Sequence, residues 1–286
     1  MLFHICVRGN GGQSIFLDNE DILHAIDLLA VFSHYYGVKI IAYQFISNHY
    51  HLILECDNPA PFMQGFRISY TKYFNKKYNS FGSVGRIHYT CGIINDTYKL
   101  EEKIIYVLRN TAKHHIEMHP YCDSFNSSHY YFIEERKFGK SLHLIPAGPE
   151  YELEYSSKYI PEHYYLEGNG HIYPGSFIES KIVEDLFKTY GNYIRKISMP
   201  SSKEIEENNG KPPVPRKVIV NDLSLSEMVL KKISPRTITS LTDKEITTLS
   251  LYYYKNYRVS VKQLSRVFRV PETTLRRRIF KLPRHL

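Results

Sequence analysis

The chain switches between two hydrophobic periods, and the switches mark its elements. Residues 2–8 read as a strand that ends in a turn at Gly9-Asn10-Gly11-Gly12. Residues 18–36 have helical spacing, with Ile22, Ile26, Leu29 and Phe32 on one face. Residues 38–46 are apolar and β-rich, hence a strand. Residues 48–55 alternate and then run apolar, which makes them its hairpin partner. Pro59 and Pro61 precede a helix over about 62–78, and glycines punctuate 81–92. Asp96 or Thr97 caps a further helix that should run to about His115. This order, β-α-β-β-α-(β)-α, predicts an α+β domain: an antiparallel sheet with helices on one face.

Beyond it, residues 146–175 are rich in Pro, Gly, Tyr and Glu and read as irregular, while 176–197 return to helical spacing. Residues 198–215 carry Ser, Glu, Asn, Gly and Pro and form the expected linker. An all-helical unit follows. The expected division is a first domain over 1–145, a connector over 146–215 and a C-terminal domain over 216–286. No internal repeat is visible.

Composition narrows the class. Of 286 residues, 43% are hydrophobic and 23% charged, which excludes disorder over most of the chain. No apolar run approaches the roughly 18 residues of a membrane span, and no signal peptide can be drawn at the N-terminus. Cys6, Cys56, Cys91 and Cys122 are scattered, with no C-x-x-C pair. That argues against a zinc ribbon or a disulfide framework and suits a reducing cytoplasm. The net charge of +8 is unevenly spread: residues 251–286 hold ten Lys and Arg against one acid, Glu272. A second excess lies between Arg67 and Lys113, nine against three, interleaved with Tyr70, Tyr73, Phe74 and Tyr78. Positive charge beside aromatic rings suits a polyphosphate partner, although a solvated basic face would look the same.

Two local patterns carry candidate chemistry. In Ser47-Asn48-His49-Tyr50-His51, the histidines at i and i+2 of a strand share one face while Tyr50 points to the other. Two neutral imidazoles so placed can share a divalent cation. Taken alone, the pair is equally two strand histidines. In the helix after Asp96, Tyr106 and Asn110 lie at i and i+4 on a face other than the apolar stripe of Ile104, Ile105, Leu108 and Ala112. A tyrosine, with its ordinary pKa of about 10, is a poor nucleophile near neutrality unless a metal stabilises the charges around the phosphate. With 25 tyrosines in the chain, Tyr106 is by itself equally a packing residue. His114, His115 and His119 gather where that helix should end, a position the helix dipole tolerates. In the C-terminal unit, 261–279 reads as helix-turn-helix. Val261, Leu264 and Phe268 pack the first helix, the turn falls near 269–271, and Leu275 and Ile279 pack the second. Thr273, Thr274, Arg276, Arg277 and Arg278 are then left to face DNA.

Together these blocks resemble the single-tyrosine His-hydrophobe-His (HUH) transposases, including the REP-associated tyrosine transposases, in a long form with a C-terminal helical extension. The segments that carry the resemblance are His4 to Asn10, Ile15 to Asp18 with Asp21, Tyr43 to Leu54, Met63-Gln64, Tyr70 to Asn75, Tyr106 to Asn110 and Ser127 to Tyr130. They run in order over about 1–133. The sequence departs from the family pattern at 82–89 and at Asn110-Thr111. The resemblance implies a ferredoxin-like, RRM-like HUH domain followed by the helix-turn-helix domain. It implies that His49, His51 and Asn110 hold Mg²⁺ or Mn²⁺. It also implies that Tyr106 attacks single-stranded DNA beside a hairpin, leaving a 5′-phosphotyrosine link and a free 3′-OH for strand transfer. Arg8, Asn48, Arg67 and Lys72 are expected DNA contacts by position and charge. DNA, as a single-stranded hairpin and also as duplex, is the expected partner, and a membrane is not. A homodimer is left open. The competing reading is a non-catalytic or domesticated regulator that binds DNA hairpins.

Overall fold

A computed structural model of the chain describes residues 1–113, 119–135, 144–148, 153, 159–199, 220–257 and 259–281. Strands β1 (Leu2–Arg8), β2 (Lys39–Ile46), β3 (His49–Glu55) and β4 (Thr90–Ile94) form an antiparallel sheet in the order β2-β3-β1-β4. Helix α1 (Asn19–Tyr36) joins β1 to β2, and α2 (Ala60–Lys77) joins β3 to β4. This is the expected α+β, ferredoxin-like arrangement.

Local chemistry fixes these elements. Asp18 caps α1 through the Asp21 backbone N–H, and the Asp21 side chain returns the bond to the Asp18 backbone. Gly37 ends the helix at φ 63°, a left-handed conformation that a side chain would strain. Along β1 and β3 the side chains alternate. Phe3, Ile5, Val7, Tyr50, Leu52 and Leu54 face α1 and α2 and are buried. Tyr50 meets Phe66 of α2 edge-on at 5.8 Å. Each fully buried side chain here, such as Ile5 or Leu52, contributes about 1.5–3 kcal/mol.

The expectation of helices on one face describes α1 and α2. Helix α3 (Thr97–Leu108) lies on the other face, over β2 and β3. The physical reason is that this second face is also buried: Gln44, His49 and His51 are at most 7% exposed and must be covered. The single helix expected over 96–115 is also corrected. Asp96 caps it through Lys99 N–H, but it breaks at Arg109 (φ −81°, ψ 3°) and resumes as the short α4 (Asn110–Lys113). The Arg109 guanidinium donates to Ile197 O at 2.7 Å, which anchors the break.

The edge of β2 is not open. Phe45 N–H donates to Phe125 O, Tyr43 N–H to Ser127 Oγ, and Tyr131 OH to Ile41 O. Helices α5 (Ser180–Phe187) and α6 (Tyr190–Ser198) pack beside α3, with Val183, Phe187, Tyr193 and Ile197 fully buried. A short pair, β5 (Ile145–Pro146) and β6 (Tyr165–Leu166), stands apart from the main sheet. Of the linker expected over 198–215, only 198 and 199 are described; the rest lies outside the described residues.

The C-terminal unit contains α7 (Asp222–Ile233), α8 (Asp243–Asn256), α9 (Val261–Val267) and α10 (Glu272–Lys281). Helices α9 and α10 follow one another across a short turn, where the sequence expects a helix-turn-helix. Val261, Leu264, Phe268, Leu275 and Ile279 are buried, and Arg269 makes the turn at φ 56°. This unit lies directly against the first domain. Ser14 N–H donates to Arg266 O at 3.0 Å, Gln13 Nε2 donates to Arg269 O at 2.6 Å, and the Arg269 guanidinium lies over the Phe74 ring.

Candidate active site

The hairpin turn Ser47-Asn48 delivers His49 and His51 to the sheet face under α3. In register, Cys6 and Gln44 flank His51, and Arg8 and Ile46 flank His49. From the opposite side α3 brings Tyr106, and the break at Arg109 turns Asn110 toward the histidines. The Asn110 amide reaches both. Its Oδ1 is 2.8 Å from His49 Nε2, and its Nδ2 is 3.3 Å from His51 Nε2. The Tyr106 ring stands edge-on to His51 at 5.6 Å and to His4 at 5.9 Å, between centroids. The Lys103 ammonium lies 5.7 Å from the Tyr106 ring centre.

Hydrogen bonds fix the tautomers. Asn110 Nδ2–H donates to His51 Nε2, so His51 carries its hydrogen on Nδ1. That Nδ1–H donates to His4 Nε2 at 3.0 Å. His4 is suited to accept because burial, reinforced by the Lys103 charge, pushes its pKa down to about 4 and keeps the ring neutral. The His4 and His51 rings stack at 5.2 Å. Cys6 Sγ lies 3.8 Å from His51 Nε2, and burial raises its thiol above the usual range, against the nearby Arg8 and Arg86.

His49 is different. Nδ1 faces Asn48 Oδ1 at 2.9 Å and Nε2 faces Asn110 Oδ1 at 2.8 Å, and both oxygens are acceptors. A neutral imidazole has one hydrogen and can satisfy only one of them. The second contact calls for a positive charge between His49 Nε2 and Asn110 Oδ1, which a proton or a metal ion supplies. Two imidazole nitrogens and an amide oxygen form a mixed donor set for a divalent cation: imidazole suits the later transition ions, and an amide oxygen also suits Mg²⁺ and Mn²⁺. Among the described residues no group of three or more His, Cys, Asp or Glu side chains could hold a metal. The set here reaches three only through the Asn110 amide.

The structure therefore brings His49, His51, Asn110 and Tyr106 together. It also adds His4, Cys6 and Lys103, which sequence reasoning left out of the site. The signal for His4 and Cys6 was their even spacing in β1, but using it requires the β1–β3 register. The expected DNA contacts divide. Arg8 is exposed at the end of β1 beside His49. Asn48 is bonded to His49. Arg67 and Lys72 sit on α2, across the sheet from the histidines. Arg67 donates to the carbonyls of Arg86 and Ile87, and Lys72 is exposed. In α10, Thr273 and Arg277 are exposed and Thr274 is half-buried. Arg276 pairs with Glu272, and Arg278 forms a bidentate pair with Asp243. His119 bonds Tyr121 N–H and Ser198 Oγ, while His114 and His115 lie outside the described residues.

No protein-family model matches the chain, and no curated protein matches it. A solved structure of a REP-associated tyrosine transposase bound to a REP hairpin overlaps 45% of this chain and 76% of its own. The identity is 16% and the TM-score 0.39.

Proposed function

We propose that the chain is a metal-dependent single-tyrosine DNA transposase that cleaves and rejoins single-stranded DNA beside hairpins. One observation carries this reading: the Asn110 amide lies 2.8 Å from His49 Nε2 and 3.3 Å from His51 Nε2, with Tyr106 packed against His51.

His49 Nε2, His51 Nε2 and Asn110 Oδ1 would hold Mg²⁺ or Mn²⁺, which supplies Lewis-acid polarisation of the scissile phosphate. Asn48 and His4 accept the Nδ1 hydrogens of the two neutral imidazoles and so leave each Nε2 lone pair facing the site. The Tyr106 phenolic oxygen forms a bond to phosphorus as the bond from phosphorus to the 3′ oxygen breaks. The phenol proton leaves with that oxygen, giving a 5′-phosphotyrosine and a free 3′-OH. Lys103 stands beside the Tyr106 ring. Attack by a 3′-OH on the phosphotyrosine reverses the step and restores Tyr106, so strand transfer needs no external energy source. Arg8, beside His49, contacts the backbone phosphates.

The test incubates the protein with labelled single-stranded hairpins drawn from sequence flanking its gene, with Mn²⁺ or Mg²⁺, and resolves products on denaturing gels. The expected result is a covalent adduct that disappears with Tyr106→Phe and with EDTA, while Tyr106→Phe still binds the hairpin. Tight hairpin binding without any adduct overturns the reading in favour of a non-catalytic hairpin-binding regulator.

A further inference from the structure

The Ser47-Asn48 turn, which carries His49, is held from two directions. From its own domain, Ile15 and Phe16 donate backbone N–H groups to Ser47 O, and Gly9 N–H donates to Asn48 O. From far along the chain comes a second hold: Ser47 Oγ donates to Asp222 Oδ2 at 2.9 Å. Asp222 stands at the start of α7 and is buried. Its carboxylate also receives Nε and Nη2 of Arg266, from α9. The Arg266 carbonyl in turn accepts Ser14 N–H, next to the residues that hold Ser47. The ring of contacts therefore closes through two elements of the C-terminal unit. A fork-shaped guanidinium on a buried carboxylate is geometrically demanding, so the Ser47 hydroxyl is fixed rather than merely satisfied.

We infer that Asp222 and Arg266 are positioning residues for the His49 side of the metal site, acting through Ser47. The C-terminal unit is then part of the machinery that shapes that site, and not only a tethered DNA-binding module. A turn held one residue from Asn48 controls where Asn48 Oδ1 meets His49 Nδ1. Outer groups of this kind commonly set metal affinity by about 10–100-fold. The inference rests on the proposed metal site for its consequence, but the hold on the turn can be measured without metal.

The experiment uses the full chain and two readouts. Hydrogen exchange by mass spectrometry follows the peptide spanning 44–50 without metal, and the free-ion electron paramagnetic resonance signal follows Mn²⁺ uptake. The variants are Ser47→Ala, Ser47→Thr, Asp222→Ala and the Ser47→Ala/Asp222→Ala pair. Arg236→Ala serves as a control, since exposed Arg236 pairs with half-buried Glu245 in the same unit but away from the turn. The inference expects faster exchange at 44–50 and Mn²⁺ binding weakened about 10-fold in Ser47→Ala. It expects recovery in Ser47→Thr, no change in Arg236→Ala, and a double variant no worse than Asp222→Ala alone. Wild-type exchange and affinity in Ser47→Ala would overturn it, as would independent, multiplying effects of the two single changes. If wild type takes up no Mn²⁺, the metal reading fails, and the exchange data still decide whether Asp222 holds the turn.

Discussion

At the scale of single residues, Asp21 shows how burial converts a helix cap into a pH-sensitive group. Its Oδ2 accepts Leu17 N–H and the Tyr78 hydroxyl, and its Oδ1 accepts Lys77 and the Tyr73 hydroxyl. Burial, aided by the Asp18 charge, raises its pKa to about 6 even though Lys77 opposes the shift. A carboxyl raised in the folded state binds its proton more tightly than in the unfolded chain. That stabilisation is present below the ordinary value near 3.8 and is lost as pH rises through about 6. Wild type should therefore lose about 2–3 kcal/mol relative to Asp21→Asn between pH 4 and pH 7. Urea unfolding of both proteins at the two pH values measures this, and a constant difference would refute it. The candidate site has a similar split between local and non-local information. The period of two puts His49 and His51 on one face by local geometry alone. His4 reaches His51 only through the β1–β3 register, and the frustrated Asn110–His49–Asn48 contact depends on which nitrogen carries a hydrogen. Neither is written in any short window of sequence.

At the scale of elements, the strands and the first two helices were legible because their periods, caps and breakers agree. Asp18 and Asp21 start α1, Gly37 ends it, and Pro59 and Pro61 mark the N-cap and first turn of α2. The break of α3 at Arg109 was not legible, because Arg109 is a good helix former. A tertiary bond to Ile197, 88 positions away, fixes it. Close packing between helices is equally non-local. Gly65 of α2 faces Phe32 of α1, where an added methyl would stand 2.7 Å from the ring. Gly65→Ala gains about 1 kcal/mol of helix propensity but overpacks a buried ring, which costs about 1–3 kcal/mol. The change should thus destabilise by up to about 2 kcal/mol in chemical unfolding, and a stabilised variant would show that Phe32 can shift. The α5–α6 pair backs the tyrosine helix with a fully buried Phe187. Phe187→Ala should cost about 3–5 kcal/mol. A loss under about 1 kcal/mol would mean that this pair is not a structural support for α3.

At the scale of the whole molecule, part of the charge that suggests DNA binding is engaged within the chain, at four of the ten basic residues over 251–286. Arg266 neutralises Asp222, Arg269 lies over Phe74, Arg276 pairs with Glu272, and Arg278 with Asp243. The count of ten basic residues over 251–286 therefore overstates what α10 can offer to phosphates. Arg277 and Thr273 are exposed and make no hydrogen bond or ion pair among the described residues. If this helix meets duplex DNA, Arg277 should supply one phosphate or base-edge contact at full strength. Arg277→Ala should then weaken binding and lower the slope of log affinity against log salt by about 1. Arg278→Ala should change that slope clearly less, because its charge is already matched by Asp243, and an exposed pair of this kind contributes at most about 1 kcal/mol to folding. Fluorescence anisotropy with labelled duplex and hairpin over a series of salt concentrations reads both slopes. An unaltered slope for Arg277→Ala on both ligands would remove α10 from the DNA interface. The basic face nearer His49, where Arg8 and Lys103 stand, would then have to carry the contact alone.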